Sequence, residues 1–308
     1  MSPIELGGVV PALLTPFTPD LGIDFSTLES LTSRILDVEQ VGALFCTGHA
    51  GEVAALDRDE MKRVVETVVA TVAARVPVLA GVYTDNLREA VRQGVDARQA
   101  GASALTVFPP PSFADGGCDT PDMPLHWHRT IGEEVGLPLV LFQFDRMSNL
   151  AYNRETLELL VELPYVIGVK EGSGDILLYE QMLEICSQAS IPVLNSNNSL
   201  LLSSLVTGGD GILSGSGSVV PEHLGALWSA IQNKDLGTAQ SIHRMLKPLL
   251  SEFYRPPFID MHNRMKVVLN LLGALPSPAV RPPLLPLKAA EVARLGEVLP
   301  APSLFTTP

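Results

Sequence analysis

Eight short apolar runs, separated by longer amphipathic stretches, constrain this chain more than any other feature of it. The runs are VVPALLTPF (9–17), GALFCTG (42–48), VPVLAGVY (76–83), ALTVFPP (104–110), LPLVLFQF (137–144), VIGVKEG (166–172), IPVLNSN (191–197) and DGILSGS (210–216). Continuous rather than alternating apolar character signals strands buried on both faces, as in a parallel sheet covered by helices. Helical patterns fill the intervals at 24–39, 57–74, 86–100, 121–135, 154–162, 174–189, 199–207 and 221–233. The second opens on Asp57 with Glu60 three residues on, the spacing of a capping box. Eight strand–helix units in the space of residues 1–235 predict an α/β fold, a closed (β/α)8 TIM barrel, over an open sheet.

Residues 236–308 read differently. AQSIHRMLKPLLSEFY, DMHNRMKVVLNLLG and PLKAAEVARLGEVL are helical, broken by Pro256-Pro257 and the proline-rich 276–286, and no strand is left over. The expected division is therefore a barrel over 1–235 and a C-terminal helical segment, 236–308, packed on it.

Bulk properties narrow the function. With 21 Lys+Arg against 34 Asp+Glu the net charge is −13, so phosphates are repelled at long range and nucleic acid is not an expected partner. No apolar run reaches the roughly 18 residues that span a bilayer, and MSPIELGG lacks a basic then apolar leader. A cytoplasmic protein without membrane contact is expected. Cys46, Cys118 and Cys186 are widely spaced without a CxxC pair, and are read as reduced thiols. The six histidines offer no metal-ligand spacing, since His126 and His128 point to different faces of a helix. Neither GxxxxGK[ST] nor GxGxxG occurs. No metal and no cofactor are expected.

Lys170 stands out among the six lysines because it lies inside an apolar run, YVIGVKEGSGD. Lys62, Lys234, Lys247, Lys266 and Lys288 fall in or beside helical stretches, where the stem lets an ammonium reach water. In a barrel, chemistry sits at the C-terminal ends of the strands and in the loops that follow, which puts Lys170 in the mouth. Apolar walls lower a lysine pKa and leave more neutral amine near neutral pH. A neutral amine attacks ketones and aldehydes, and the resulting imine withdraws electrons from the adjacent carbon, so C–C or C–O bonds can be made or broken. The competing reading is an ion pair with a carboxylate. Glu171 is a poor partner, because adjacent strand residues face opposite sides.

The order TPF (15–17), GHAGE (48–52) and GVKEGSGD (168–175), with a helical C-terminal segment, resembles the dihydrodipicolinate synthase / N-acetylneuraminate lyase family. The resemblance covers nearly the whole chain. It implies that Lys170 forms a Schiff base with pyruvate or another 2-oxo acid, that GHAGE binds the carboxylate, and that the chain assembles as a homodimer or homotetramer.

The departures from that pattern redirect the chemistry. His49 and Ala50 stand where GTTGE is usual, and Phe142 takes the position of the proton-shuttling tyrosine. Pro110-Pro111 replaces a tyrosine pair, and Met147, beside Arg146, stands where an arginine grips the second substrate. Branches of the family that lack the tyrosine carry out elimination through the same imine. Replacement proton carriers are therefore sought in the mouth, and His49 and Tyr83 are the candidates, His49 with the better pKa for the task. Thr15, Gly48, Ala50, Gly51, Phe142, Arg146, Ser196, Leu213, Ser214 and Gly215 complete the expected substrate site, with Phe108, Phe113, Phe144, Asp145 and Asn197 at its rim. The expected activity is a lyase on a small 2-oxo acid, a dehydratase or aldolase of a 2-keto-3-deoxy sugar acid or related compound. The alternatives are a pyruvate-condensing synthase and a non-catalytic metabolite-binding relative.

Overall fold

A computed structural model describes residues 4–299, apart from the side chain of Arg146. Each apolar run supplies one strand: β1 (Gly8–Pro11), β2 (Leu44–Cys46), β3 (Val78–Val82), β4 (Ala104–Val107), β5 (Leu139–Gln143), β6 (Val166–Glu171), β7 (Val193–Asn195) and β8 (Gly211–Ser214). All pairs are parallel, and the strands follow one another in chain order around the sheet with β1 against β8. The remaining seam, β1 to β2, closes through isolated bridges at Val9 with Val41 and Ala12 with Phe45. Leu13 N–H donates there to Phe45 O at 2.7 Å. The fold is a (β/α)8 TIM barrel with a C-terminal helical addition, as the alternation predicts.

Helices α1 (Phe25–Leu36), α2 (Arg58–Val72), α3 (Leu87–Gln99), α4 (Asp122–Val135), α5 (Arg154–Val161), α6 (Ile176–Ala189), α7 (Leu201–Thr207) and α8 (Pro221–Gln232) cover the outside. Their starts are set by side-chain caps at Asp24, Asp57, Asn86, Asn153 and Asp175, and Asp57 with Glu60 forms the full capping box. Most elements are shorter than the runs that predict them. The run 9–17 contributes only three strand residues, Val9 to Pro11, and α2 stops at Val72 because Ala73 and Ala74 turn into the left-handed region.

Beyond the barrel come α9 (Leu236–Phe253), α10 (Met261–Leu271) and α11 (Ala289–Glu297). Met261 to Leu269 of α10 are all buried, including His262, Asn263, Arg264 and Lys266. Arg264 Nε donates to Glu291 Oε1 of α11 at 2.8 Å. Lys266 corrects the expectation that helix lysines reach water: its side chain is wholly buried, paired with the carboxylate of Glu52 and donating to Ala279 O at 2.9 Å. No helix among the described residues is long and apolar enough to cross a membrane. The three cysteines are buried and unpaired.

Candidate active site

Lys170 sits near the C-terminal end of β6, level with Phe142 of β5 on one side and Leu194 of β7 on the other. Its Nζ donates to Ser196 Oγ at 2.6 Å and lies 3.6 Å from the centroid of the Phe142 ring. Only 7% of the residue is exposed, and burial pushes the amine down from 10.5 to about 7, against a weaker opposing pull from Glu171. Glu171 faces the other way and accepts from Ser173 N–H at 2.8 Å, as strand alternation requires. The ion-pair reading of Lys170 therefore lacks a carboxylate at bonding distance among the described residues.

Lys170 opens into a cavity of about 260 Å3. His49, Ala50, Phe142, Ser196 and Gly215 line it, so five of the expected site residues gather around the lysine. Gly172, Asn197 and Asn198 complete the polar floor, and Phe45, Phe144, Tyr254, Phe258 and Met261 supply apolar wall.

The GHAGE loop is held in a strained form. Thr47, just before it, and Glu52, its last residue, both lie in the left-handed region, at φ 50° and 56°. Thr47 Oγ1 accepts from Gly81 N–H at 2.9 Å, and a Cβ on Gly81 would stand 2.1 Å from Thr47 O, so only glycine fits beneath the turn. Thr15 Oγ1 donates to Gly51 O at 2.7 Å from below. Glu52 is pinned from behind by Lys266 and by the Arg281 N–H at 3.2 Å. Inside the loop, Gly51 and Glu52 N–H groups turn back to Gly48 O and His49 O, while those of His49 and Ala50 have no acceptor among the described residues. Two free N–H groups beside a lysine make a concavity of the kind that accepts an anion.

The other expected residues are placed less directly. Thr15, Gly48, Gly51 and Leu213 shape the loop and strand behind the cavity without lining it. Tyr83 is set apart: it packs edge-on against Phe108 at 5.4 Å, and Phe108 stacks on Phe142 at 4.3 Å, so two rings stand between it and Lys170. The Arg146 side chain lies outside the described residues, and neighbouring Met147 is 93% exposed. His49 is half-buried, and burial together with the nearby Lys170 charge lowers its pKa to about 4. A neutral imidazole accepts a hydrogen bond at pH 7 but has no extra proton to give.

Sequence reasoning missed Tyr254. It enters from the end of α9, lines the cavity, and its hydroxyl lies 3.0 Å from Ser214 Oγ. Ser214 continues to Ser216 Oγ at 2.9 Å, and Ser216 donates to Asn198 Oδ1 at 3.0 Å. Burial raises the Tyr254 pKa, so the phenol keeps its proton. His262 was also missed: it is 4% exposed, its ring lies 6.2 Å from that of His49, and neither nitrogen has a hydrogen-bond partner among the described residues. The available signal was the aromatic pair flanking Pro256-Pro257 in FYRPPF.

The model of the dihydrodipicolinate synthetase family matches residues 5–301. A 4-hydroxy-tetrahydrodipicolinate synthase of Methanopyrus kandleri is 33% identical over 288 residues, covering 91% of each chain. Among solved structures, YagE of E. coli K12, a prophage protein of the family crystallised with pyruvate, aligns at TM-score 0.86 and 26% identity over 97% of this chain and 99% of its own. The dihydrodipicolinate synthase of Thermotoga maritima aligns at TM-score 0.88 and 25% identity over 97% and 99%.

Proposed function

The chain belongs to the dihydrodipicolinate synthetase family, and on that premise we propose that it is a lysine-dependent lyase that forms an imine between Lys170 and a small 2-oxo acid. The observation that carries this reading is the Lys170 environment. A buried amine pushed down to about 7, bonded to a hydroxyl and with no carboxylate at bonding distance among the described residues, holds a substantial neutral fraction near neutral pH and is ready to attack a carbonyl. The carboxylate of the 2-oxo acid then sits on the N–H groups of His49 and Ala50. The imine draws electrons from the neighbouring carbon, and a C–C or C–O bond at the next carbon breaks.

Protons are carried by the hydroxyl chain of Tyr254, Ser214 and Ser216, in place of the tyrosine that Phe142 displaces. Neutral His49 supplies a hydrogen-bond acceptor, and Tyr83 takes no part. The same reading includes a cytoplasmic homodimer or homotetramer, which light scattering at micromolar concentration measures.

The test is reduction with borohydride in the presence of pyruvate, followed by mass spectrometry. The added mass is expected on the peptide containing GVKEGSG. An adduct elsewhere, or none with any 2-oxo acid, removes the proposal and favours a non-catalytic metabolite-binding protein.

A second reading, a pyruvate-condensing synthase, is favoured by the names of the curated relatives. A coupled assay with pyruvate and aspartate semialdehyde separates the two, and robust turnover would select the synthase.

A further inference from the structure

The cavity has two aromatic walls that imine chemistry does not require. On one side Phe142 of β5 and Phe144, just past its end, stack at 4.4 Å, with Phe108 behind Phe142. On the other, Tyr254 and Phe258 from the α9–α10 junction stand 6.0 Å apart. Phe258 is 52% exposed at the mouth, so part of its ring has no protein partner. The charged side chains lining the cavity, among the described residues, are Lys170, which the imine consumes, and the exposed carboxylate Asp145. An anionic tail on the substrate would meet Asp145, whereas a flat uncharged ring would meet aromatic faces on both sides.

We propose, resting on the imine reading, that the far end of the substrate is an aryl group, so that the substrate is an aldol adduct of pyruvate and an aryl aldehyde. Lys170 Nζ condenses with the 2-oxo group and releases water, giving an iminium. The bond between the carbon next to the imine and the hydroxyl-bearing carbon breaks. Its electron pair moves into the enamine and neutralises the iminium nitrogen. The proton of the substrate hydroxyl passes to the Tyr254 oxygen as that phenol gives up its own, so the chain relays a proton and stores no charge, and the aryl aldehyde forms and leaves. That chain returns one proton to the enamine carbon, and water hydrolyses the imine to free pyruvate and Lys170.

The test follows pyruvate release, coupled to lactate dehydrogenase, from three substrates: the aldol adducts of pyruvate with benzaldehyde and with acetaldehyde, and a 2-keto-3-deoxy sugar acid. Condensation of pyruvate with benzaldehyde or aspartate semialdehyde is measured in parallel. The phenyl substrate is expected to exceed the others in kcat/KM by about tenfold or more, since each ring contact contributes roughly two- to tenfold. Phe258→Ala, a change at a half-exposed site, is expected to lower the phenyl-to-methyl ratio of kcat/KM by about two- to tenfold. Borohydride trapping with pyruvate on both proteins separates the two levels of the argument. An adduct on Lys170 combined with preference for the sugar acid or aspartate semialdehyde, or an unchanged ratio in Phe258→Ala, overturns the aryl assignment alone. The absence of any adduct overturns the imine reading beneath it.

Discussion

Replacing Lys170 with methionine should make the protein more stable while abolishing imine formation. The side chains are both long and unbranched, so the volume is kept. Lowering the amine from 10.5 to about 7 corresponds to roughly 5 kcal/mol of charging cost in the fold, at about 1.4 kcal/mol per pH unit. Against this, methionine forfeits the 2.6 Å bond to Ser196, about 1 kcal/mol, and the cation over the Phe142 ring, about 1 kcal/mol more. The net gain is roughly 3 kcal/mol, or about 4–5 °C in melting temperature for a chain of this length. The pH dependence is the sharper signature. Because the folded pKa is depressed, the cost is fully present below about pH 7, fades as pH rises toward 10.5, and is absent above it. Melting of both proteins at about pH 6 and about pH 10 therefore decides. The variant should lead clearly at the lower pH and hardly at all at the higher. A variant that melts at or below the parent at about pH 6, or a lead that does not change with pH, would refute the reasoning.

Three other outcomes are expected. Trapping of pyruvate by borohydride should accelerate as pH rises through about 7 and then level off, following deprotonation of Lys170; a midpoint near 9 or above contradicts the buried amine. Tyr254→Phe should still form the adduct yet lose turnover by about 10²-fold or more, as removal of a positioned proton carrier does; unchanged kcat would assign the proton elsewhere. Glu52→Leu should cost roughly 3–5 kcal/mol in urea unfolding by leaving Lys266 buried and unpaired, with much of that recovered in the Glu52→Leu, Lys266→Met double variant. A single variant within about 1 kcal/mol of the parent would show the pair to be dispensable.

The barrel was legible because burial on both faces writes itself as uninterrupted apolar runs, and because the caps at Asp57 and its counterparts mark where helices begin. Lys170 was legible for the same reason, a polar residue in a strand with no route to water. Lys266 was not. Its segment, MHNRMKVVLN, has the look of an amphipathic helix, and only the distant Glu52, Glu291 and Ala279 groups, each supplied by another part of the chain, make its polar side affordable to bury. Tyr254 and Phe258 were hidden differently. Pro256-Pro257 announces that a helix ends but carries no information about which way the following residues turn, and here they turn over the mouth of the barrel. Proton carriers were sought on strand ends and the loops after them, where His49 and Tyr83 satisfied the spacing, while the Tyr254 hydroxyl beside the cavity came from outside the repeating pattern.

The buried pair of Glu52 and Lys266 also sets an order of events during synthesis. The two residues are 214 positions apart, which at roughly 5–20 residues per second separates their emergence from the ribosome by on the order of 10–40 s. Until Lys266 is made, burying the Glu52 carboxylate behind the GHAGE loop would leave it without that counter-ion and would cost several kcal/mol. The loop between Thr47 and Glu52 is therefore expected to settle late, although it is among the first parts to be made. A nascent chain halted before α10 would carry every strand of the barrel, and Lys170 among them, but would still lack the lysine that locks the loop in place.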